Sequence, residues 1–279
     1  MRSLAGIVRL FAGSPVHPVG SDGRMALSDH MRELRARVLK VGLVIIVGLI
    51  ASLFFFSELF DLVVGPYYDA QDQLPNGSTE LITQGAGAGL MLHLKLCGLA
   101  ALVLTSPFWL YQIWAFIVPG LHPRERKWTR LFAAIAGPLF MVGVWLGYTT
   151  LPLGLEILIG LNPGGVSNLV EFNEYLQFFS RTLLVFGIAF EIPLFVVLLN
   201  LAGVVSGRAL GAYRSWIIVG VFVFAAVATP SGDPFTMTLM AVPMVILFGI
   251  SEVIARFNDR RRARRDPFNN LDPDTASPL

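Results

Sequence analysis

Apolar residues gather in six stretches, near 41–57, 96–118, 131–155, 182–205, 215–229 and 235–251, and the polar segments between them alternate in charge. The segment before the first stretch holds Arg2, Arg9, Arg24, Arg32, Arg35 and Arg37. The gap 58–89 has no Lys or Arg but carries Glu58, Asp61, Asp69, Asp72 and Glu80. Gap 119–130 is basic again, with Arg124, Arg126, Lys127 and Arg130. Gap 156–181 holds three Glu and the single Arg181, 206–214 has Arg208 and Arg214 without an acid, and 230–234 has only Asp233. The tail closes with Arg260, Arg261, Arg262, Arg264 and Arg265. Basic residues mark the cytoplasmic side of short membrane loops. The pattern therefore predicts an all-α integral membrane protein with six transmembrane helices and both termini in the cytoplasm.

The interiors of these stretches refine the picture. Pro107, Pro138, Pro193 and Pro243 lie inside four of them, and each removes a backbone donor and permits a bend. Bent helices in lipid need neighbours to satisfy the freed carbonyls, so several proline-bent helices forming a concave bundle are expected. The fifth stretch, Trp216 to Thr229, is about 21 Å of helix against a hydrocarbon core of ~30 Å, which points to local bilayer thinning.

Composition changes little. Hydrophobic residues make up 54% and charged residues 14% of 279, which leaves no room for a separate soluble domain. Three regions are expected: 1–26 as a disordered or misassigned extension, 27–255 as the membrane domain, and 256–279 as a basic disordered cytoplasmic tail. An organellar transit peptide is the other reading of the first residues, with Met25 an alternative start. Cys97 is the only cysteine, and His17, His30, His93 and His122 are scattered, so neither a disulfide framework nor a metal cluster is expected.

Four motifs carry polar chemistry. The segment Leu27–Arg37 places Leu27, Met31, Leu34 and Val38 at helical spacing, giving an interfacial helix with Ser28 or Asp29 as N-cap. Within it Glu33 and Arg37 are four apart, and an ordinary intrahelical ion pair is their plainest reading. In Pro119–Lys127, Pro123 suits a first helical turn and Glu125 its dipole. Phe190-Glu191-Ile192-Pro193 puts an acid inside the fourth stretch, where it is protonated, paired with Lys95 or His93, or bonded to backbone opened by Pro193. Ala228–Thr236 reads as a hairpin on the trans (extracytoplasmic) side, with Asp233 capping the last helix. Trp109, Tyr111, Trp114 and Phe116 read as an interfacial belt, and Gly143 and Gly147 as a close-packing pair.

In this order and on these sides, the motifs resemble the TatC family, receptor subunits of the twin-arginine protein translocase. The likeness spans about 27–255. It is carried by His30-Met31-Arg32-Glu33-Leu34-Arg35, by Lys95, by Leu110–Phe116 with Pro119, and by Glu125-Arg126. Phe190–Pro193, Thr229-Pro230 with Asp233, and Ala241-Val242-Pro243 continue it. The resemblance implies a plasma-membrane protein of a prokaryote that binds twin-arginine signal peptides and recruits TatA-type and TatB-type single-span partners. Folded cargo then crosses at the expense of the proton gradient. It implies that Glu33 and Glu125 accept the signal's guanidinium groups, that Arg35 and Arg126 shape the site, and that Gln112 and Phe116 line its membrane edge. Glu191 would face the concave interior, and Thr229 and Asp233 would contact partner helices. Self-association is expected; nucleic acid, cofactor and catalysis are not.

Two departures stand out. Pro230-Ser231-Gly232-Asp233 is one residue longer than the family's usual Pro-Pro-Asp, and Met237 stands where a Gln is common. The competing class is a proton-coupled small-solute transporter using Glu191, which predicts internal repeats that this chain lacks. An intramembrane hydrolase has no motif in its favour.

Overall fold

The structure, a computed structural model, describes residues 27–74, 79–121, 126–161, 168–228 and 234–265. Ten helices and one pair of short strands make up these segments. Helix α1 (Leu27–Leu53) runs without interruption from the expected interfacial segment into the first span. Ser28 and Asp29 both lie within it, so neither caps it from outside. Helix α2 (Phe56–Gln73) follows on the trans side, then β1 (Thr79–Ile82). The second span is two helices, α3 (Ala88–Leu104) and α4 (Ser106–Leu121), bent by 56°. Pro107 sits in the first turn of α4, and the Thr105 hydroxyl donates to Ala101 O at 2.7 Å, satisfying a carbonyl at the break.

The third span is α5 (Arg126–Gly160), whose 35 residues make about 52 Å of helix and so project well beyond the hydrocarbon. Pro138 and Pro152 lie inside it. Strand β2 (Asn168–Glu171) leads into α6 (Phe172–Phe190), and α7 (Ile192–Leu201) completes the fourth span after a break at Glu191, beside Pro193. Short α8 (Gly207–Ala212) precedes α9 (Arg214–Ala228) and α10 (Pro234–Arg265). Four of these helical segments are long and apolar enough to cross a membrane, the bent pair makes a fifth, and α9 is a shorter apolar helix of 15 residues. The fifth expected span, α9, is thus the one that falls short of membrane-crossing length.

Helix α10 departs from expectation at its end. Residues 256–265 continue the helix and are no disordered tail. Arginine is a good helix former, and local contacts add to it. Arg256 pairs with Glu252 at 2.6 Å one turn back, and the Arg261 guanidinium lies 4.3 Å over the Phe257 ring.

The core lies between α2, α3, α5 and α6, around Tyr67, Leu96, Phe140, Tyr175, Phe179 and Leu183. Helix α5 approaches α6 closely because Gly143 faces its backbone. A Cβ there would meet Phe186 O at 2.6 Å, so the expected packing role of Gly143 holds. On α2, Val63, Pro66, Tyr67 and Ala70 form a buried stripe at helical spacing. The Tyr175 hydroxyl donates to Val63 O at 2.5 Å, and Tyr148 donates to Leu62 O at 3.1 Å. Strands β1 and β2 pair in parallel, Thr79 opposite Asn168 and Ile82 opposite Glu171. The Tyr67 hydroxyl shares a 2.7 Å hydrogen bond with Thr79 Oγ1, and burial pushes its phenol above the usual value. A trans-side cap of one helix and two strands therefore rests on the bundle, which the charge pattern alone did not reveal.

Candidate functional site: the cytoplasmic ends of the first two spans

Helical spacing lays Leu34, Arg37, Val41 and Ile45 along one stripe of α1, and Trp109, Gln112, Phe116 and Ile117 along a facing stripe of α4. With Leu184 and Ile188 of α6 they enclose a groove of about 590 Å³ whose walls are almost wholly apolar. Two contacts join α1 to α4 at its cytoplasmic end. The rings of His30 and Phe116 stack with centroids 4.3 Å apart. Arg37 makes the second contact. Its Nε and Nη2 donate to Glu33 Oε1 at 3.0 and 2.5 Å, its Nη1 to Gln112 Oε1 at 3.0 Å, and Nη2 also to Ala115 O at 3.3 Å.

The intrahelical Glu33–Arg37 pair is therefore real, but Arg37 does more than pair with its neighbour. It ties two helices together, a link to α4 that its spacing to Glu33 did not suggest. Both Arg37 bonds go to Glu33 Oε1, so Oε2 accepts no hydrogen bond among the described residues. Gln112 is buried and Arg35 is exposed. Arg126 opens α5, while Glu125, Thr229 and Asp233 lie outside the described residues, as does Pro123.

Glu191 takes neither of the cationic partners considered from sequence. The indole of Trp114 donates to its Oε2 at 3.1 Å, and its buried Oε1 has no hydrogen-bond partner among the described residues. Trp114 packs on Phe132 and Phe195 on the far side of α4, and Glu191 does not line the groove. Lys95 instead donates to Asn173 Oδ1, and His93 stacks on Phe56 with centroids 3.6 Å apart. Lys95 meets Asn173 at the start of α6, about 27 Å of helix from Glu191 at its other end, which is the physical reason the expected pairing fails.

A second polar cluster ties the cytoplasmic ends of α7, α8 and α10. Arg214 clasps Glu252 with two bonds of 3.0 and 2.8 Å, and Glu252 is buried. Asn200 donates to Asp259 Oδ1 at 2.8 Å, Gly207 N donates to Asp259 Oδ2 at 2.7 Å, and Asn258 donates to Asn200 Oδ1 at 2.8 Å. The gap 206–214 lacks an acid, and α10 supplies it. That missing counter-charge was the one sequence signal that could have found Glu252.

Comparison with known proteins matches the architecture. A family model described as Sec-independent protein translocase protein (TatC) matches residues 29–243. A Sec-independent protein translocase protein TatC from Frankia casuarinae is 41% identical over 268 residues, covering 92% of this chain and 74% of the relative. The TatC of Escherichia coli K12 is 34% identical over 232 residues, covering 83% of this chain and 88% of the relative. A crystal structure of a twin-arginine translocase receptor, TatC, superposes with a TM-score of 0.71 at 30% identity, covering 83% of this chain and 100% of the other.

Proposed function

The chain belongs to the TatC family of Sec-independent protein translocase proteins, and on that footing we propose that it binds twin-arginine signal peptides at the α1–α4 groove. It is a multi-pass component of the plasma-membrane translocase that exports folded proteins, drawing on the proton gradient. Glu33 and Glu125 accept the two guanidinium groups, Arg35 and Arg126 shape the approach, and Gln112 and Phe116 form the membrane edge. The signal's apolar stretch lies along the groove below. TatA-type and TatB-type single-span subunits dock near Thr229 and Asp233.

One observation carries the assignment of the site. Glu33, Gln112 and the carbonyl of Ala115 already hold a guanidinium between them, that of Arg37. The acceptors are thus arranged for a planar fork, and Glu33 Oε2 remains for a second one. A lysine ammonium is a point charge that cannot span such acceptors, which favours paired arginines over paired lysines.

The test is site-specific cross-linking from positions next to Glu125 to a twin-arginine signal peptide in membranes, with a Lys-Lys signal alongside. Arginine-dependent cross-links that vanish in Glu33→Gln are expected. Equal labelling by the two peptides would overturn the reading.

A further inference from the structure

The apolar groove continues past Leu184. Leu102 and Leu184, which help to wall it, also line a second hollow of about 370 Å³ toward the trans side. Leu99 and Leu176 share those walls, while Lys95 and Arg181 stand at the polar rim with Gln177 and Ser180. Both cations are exposed. Lys95 donates to Asn173, and Glu171 lines an adjoining small cavity with it. Among the described residues, however, no carboxylate forms an ion pair with either cation; the ion pairs there lie at Glu33 and Glu252.

The depth of these charges identifies what suits them. Lys95 lies about 10 Å along α3 from Ala88, and Arg181 about 13 Å along α6 from Phe172. Each of these two spans is about 45 Å of helix against a hydrocarbon core of ~30 Å, and long aliphatic stems let charged heads snorkel toward the nearer interface. Two cations with no carboxylate partner among the described residues, set beside walls of leucine in the trans part of their spans, match a phosphodiester carried on an acyl chain. A guanidinium binds phosphate oxygens through charge-assisted bonds. A free anion would satisfy the cations but leave the leucine walls to nothing.

We infer that a phospholipid of the trans leaflet occupies this groove before a signal arrives. Its phosphate sits on Arg181 and Lys95, and one chain runs past Leu99, Leu102 and Leu184 into the α1–α4 pocket. The signal's apolar stretch takes the same space, so signal binding expels the chain. This last step rests on the signal-peptide reading above; the lipid site itself does not.

The experiment uses the full chain in nanodiscs of phosphatidylethanolamine and phosphatidylglycerol containing a phosphatidylglycerol with a photoreactive acyl chain. Labelling is mapped by peptide mass spectrometry. Expected is labelling at Leu102 and Leu184 several-fold above that at lipid-facing Trp145, reduced to the Trp145 level in Arg181→Gln with Lys95→Gln. Arg181→Lys should retain most of it, and added inorganic phosphate should not displace it. Labelling of the groove no stronger than that of Trp145, or indifferent to the double substitution, would overturn the lipid site. A twin-arginine peptide should then lower the groove label while leaving Trp145 unchanged. If the peptide cross-links near Glu33 and the lipid label persists, the displacement is wrong. If the peptide fails to bind while the charge-dependent label remains, the signal-receptor reading fails and the lipid site stands.

Discussion

Trp114 on the second span and Glu191 at the break of the fourth are joined by a single 3.1 Å hydrogen bond, and the other carboxyl oxygen is buried with no partner among the described residues. Removing the indole N–H leaves both oxygens without a donor among the described residues. Trp114→Phe should therefore cost about 1–3 kcal/mol and lower the thermal midpoint in detergent. Glu191→Leu added to it should cost less than the two single changes summed, because the orphaned acid is gone. Full additivity would show that the bond contributes nothing.

At the cytoplasmic groove, Glu33→Gln and Glu125→Gln should each weaken signal-peptide affinity by about 1–3 kcal/mol, tenfold or more. Export of a twin-arginine reporter should fall severely in each while the protein still inserts. Normal export by the double variant would refute the roles assigned to both carboxylates.

Close approach of α5 and α6 gives a third expectation. An alanine at Gly143 places its Cβ 2.6 Å from Phe186 O and 2.9 Å from Gly187 Cα, both on backbone that cannot swing aside. Gly143→Ala should destabilise the bundle by about 1–3 kcal/mol, visible as a lower thermal midpoint. The same substitution at Gly220, where nothing lies within 4 Å, should be neutral in the same assay.

On the trans side, Tyr175→Phe deletes the one side-chain donor to Val63 O among the described residues and should loosen α2 from α6. The expected cost is about 1–2 kcal/mol. Protease applied from the trans side should cut between α2 and β1 faster than in the parent, with cytoplasmic cutting unchanged.

Span positions and sidedness were legible in the sequence because lipid imposes both, span by span, through hydropathy and the placement of arginine. The bend at Thr105 and the break at Glu191 were foreshadowed by Pro107 and Pro193. The partner of Glu191 was not, since Trp114 lies 77 residues away and its local pattern reads as an interfacial belt. Arg37 was overlooked for the opposite reason. Its neighbour Glu33 explained it fully along one helix, so its reach to Gln112, 75 residues on, left no trace in spacing. The strands Thr79–Ile82 and Asn168–Glu171 are four residues each, too short for any periodicity to register. Helix at 256–265 was missed because a run of arginines suggests solvation, whereas the anchoring comes from Asn200 and Gly207 on other elements.

The parallel β1–β2 pair also sets an order of assembly. A hairpin can close as soon as its turn has emerged, but Thr79 must wait for Asn168, with the second and third spans inserted between them. Tyr175, which fastens α2 across a separation of 112 residues, arrives later still. Until the fourth span enters the bilayer, the stripe Val63–Ala70 has only part of its cover. During synthesis the protein therefore passes through a half-inserted stage with an exposed trans-side helix, and truncation after the third span should trap it there.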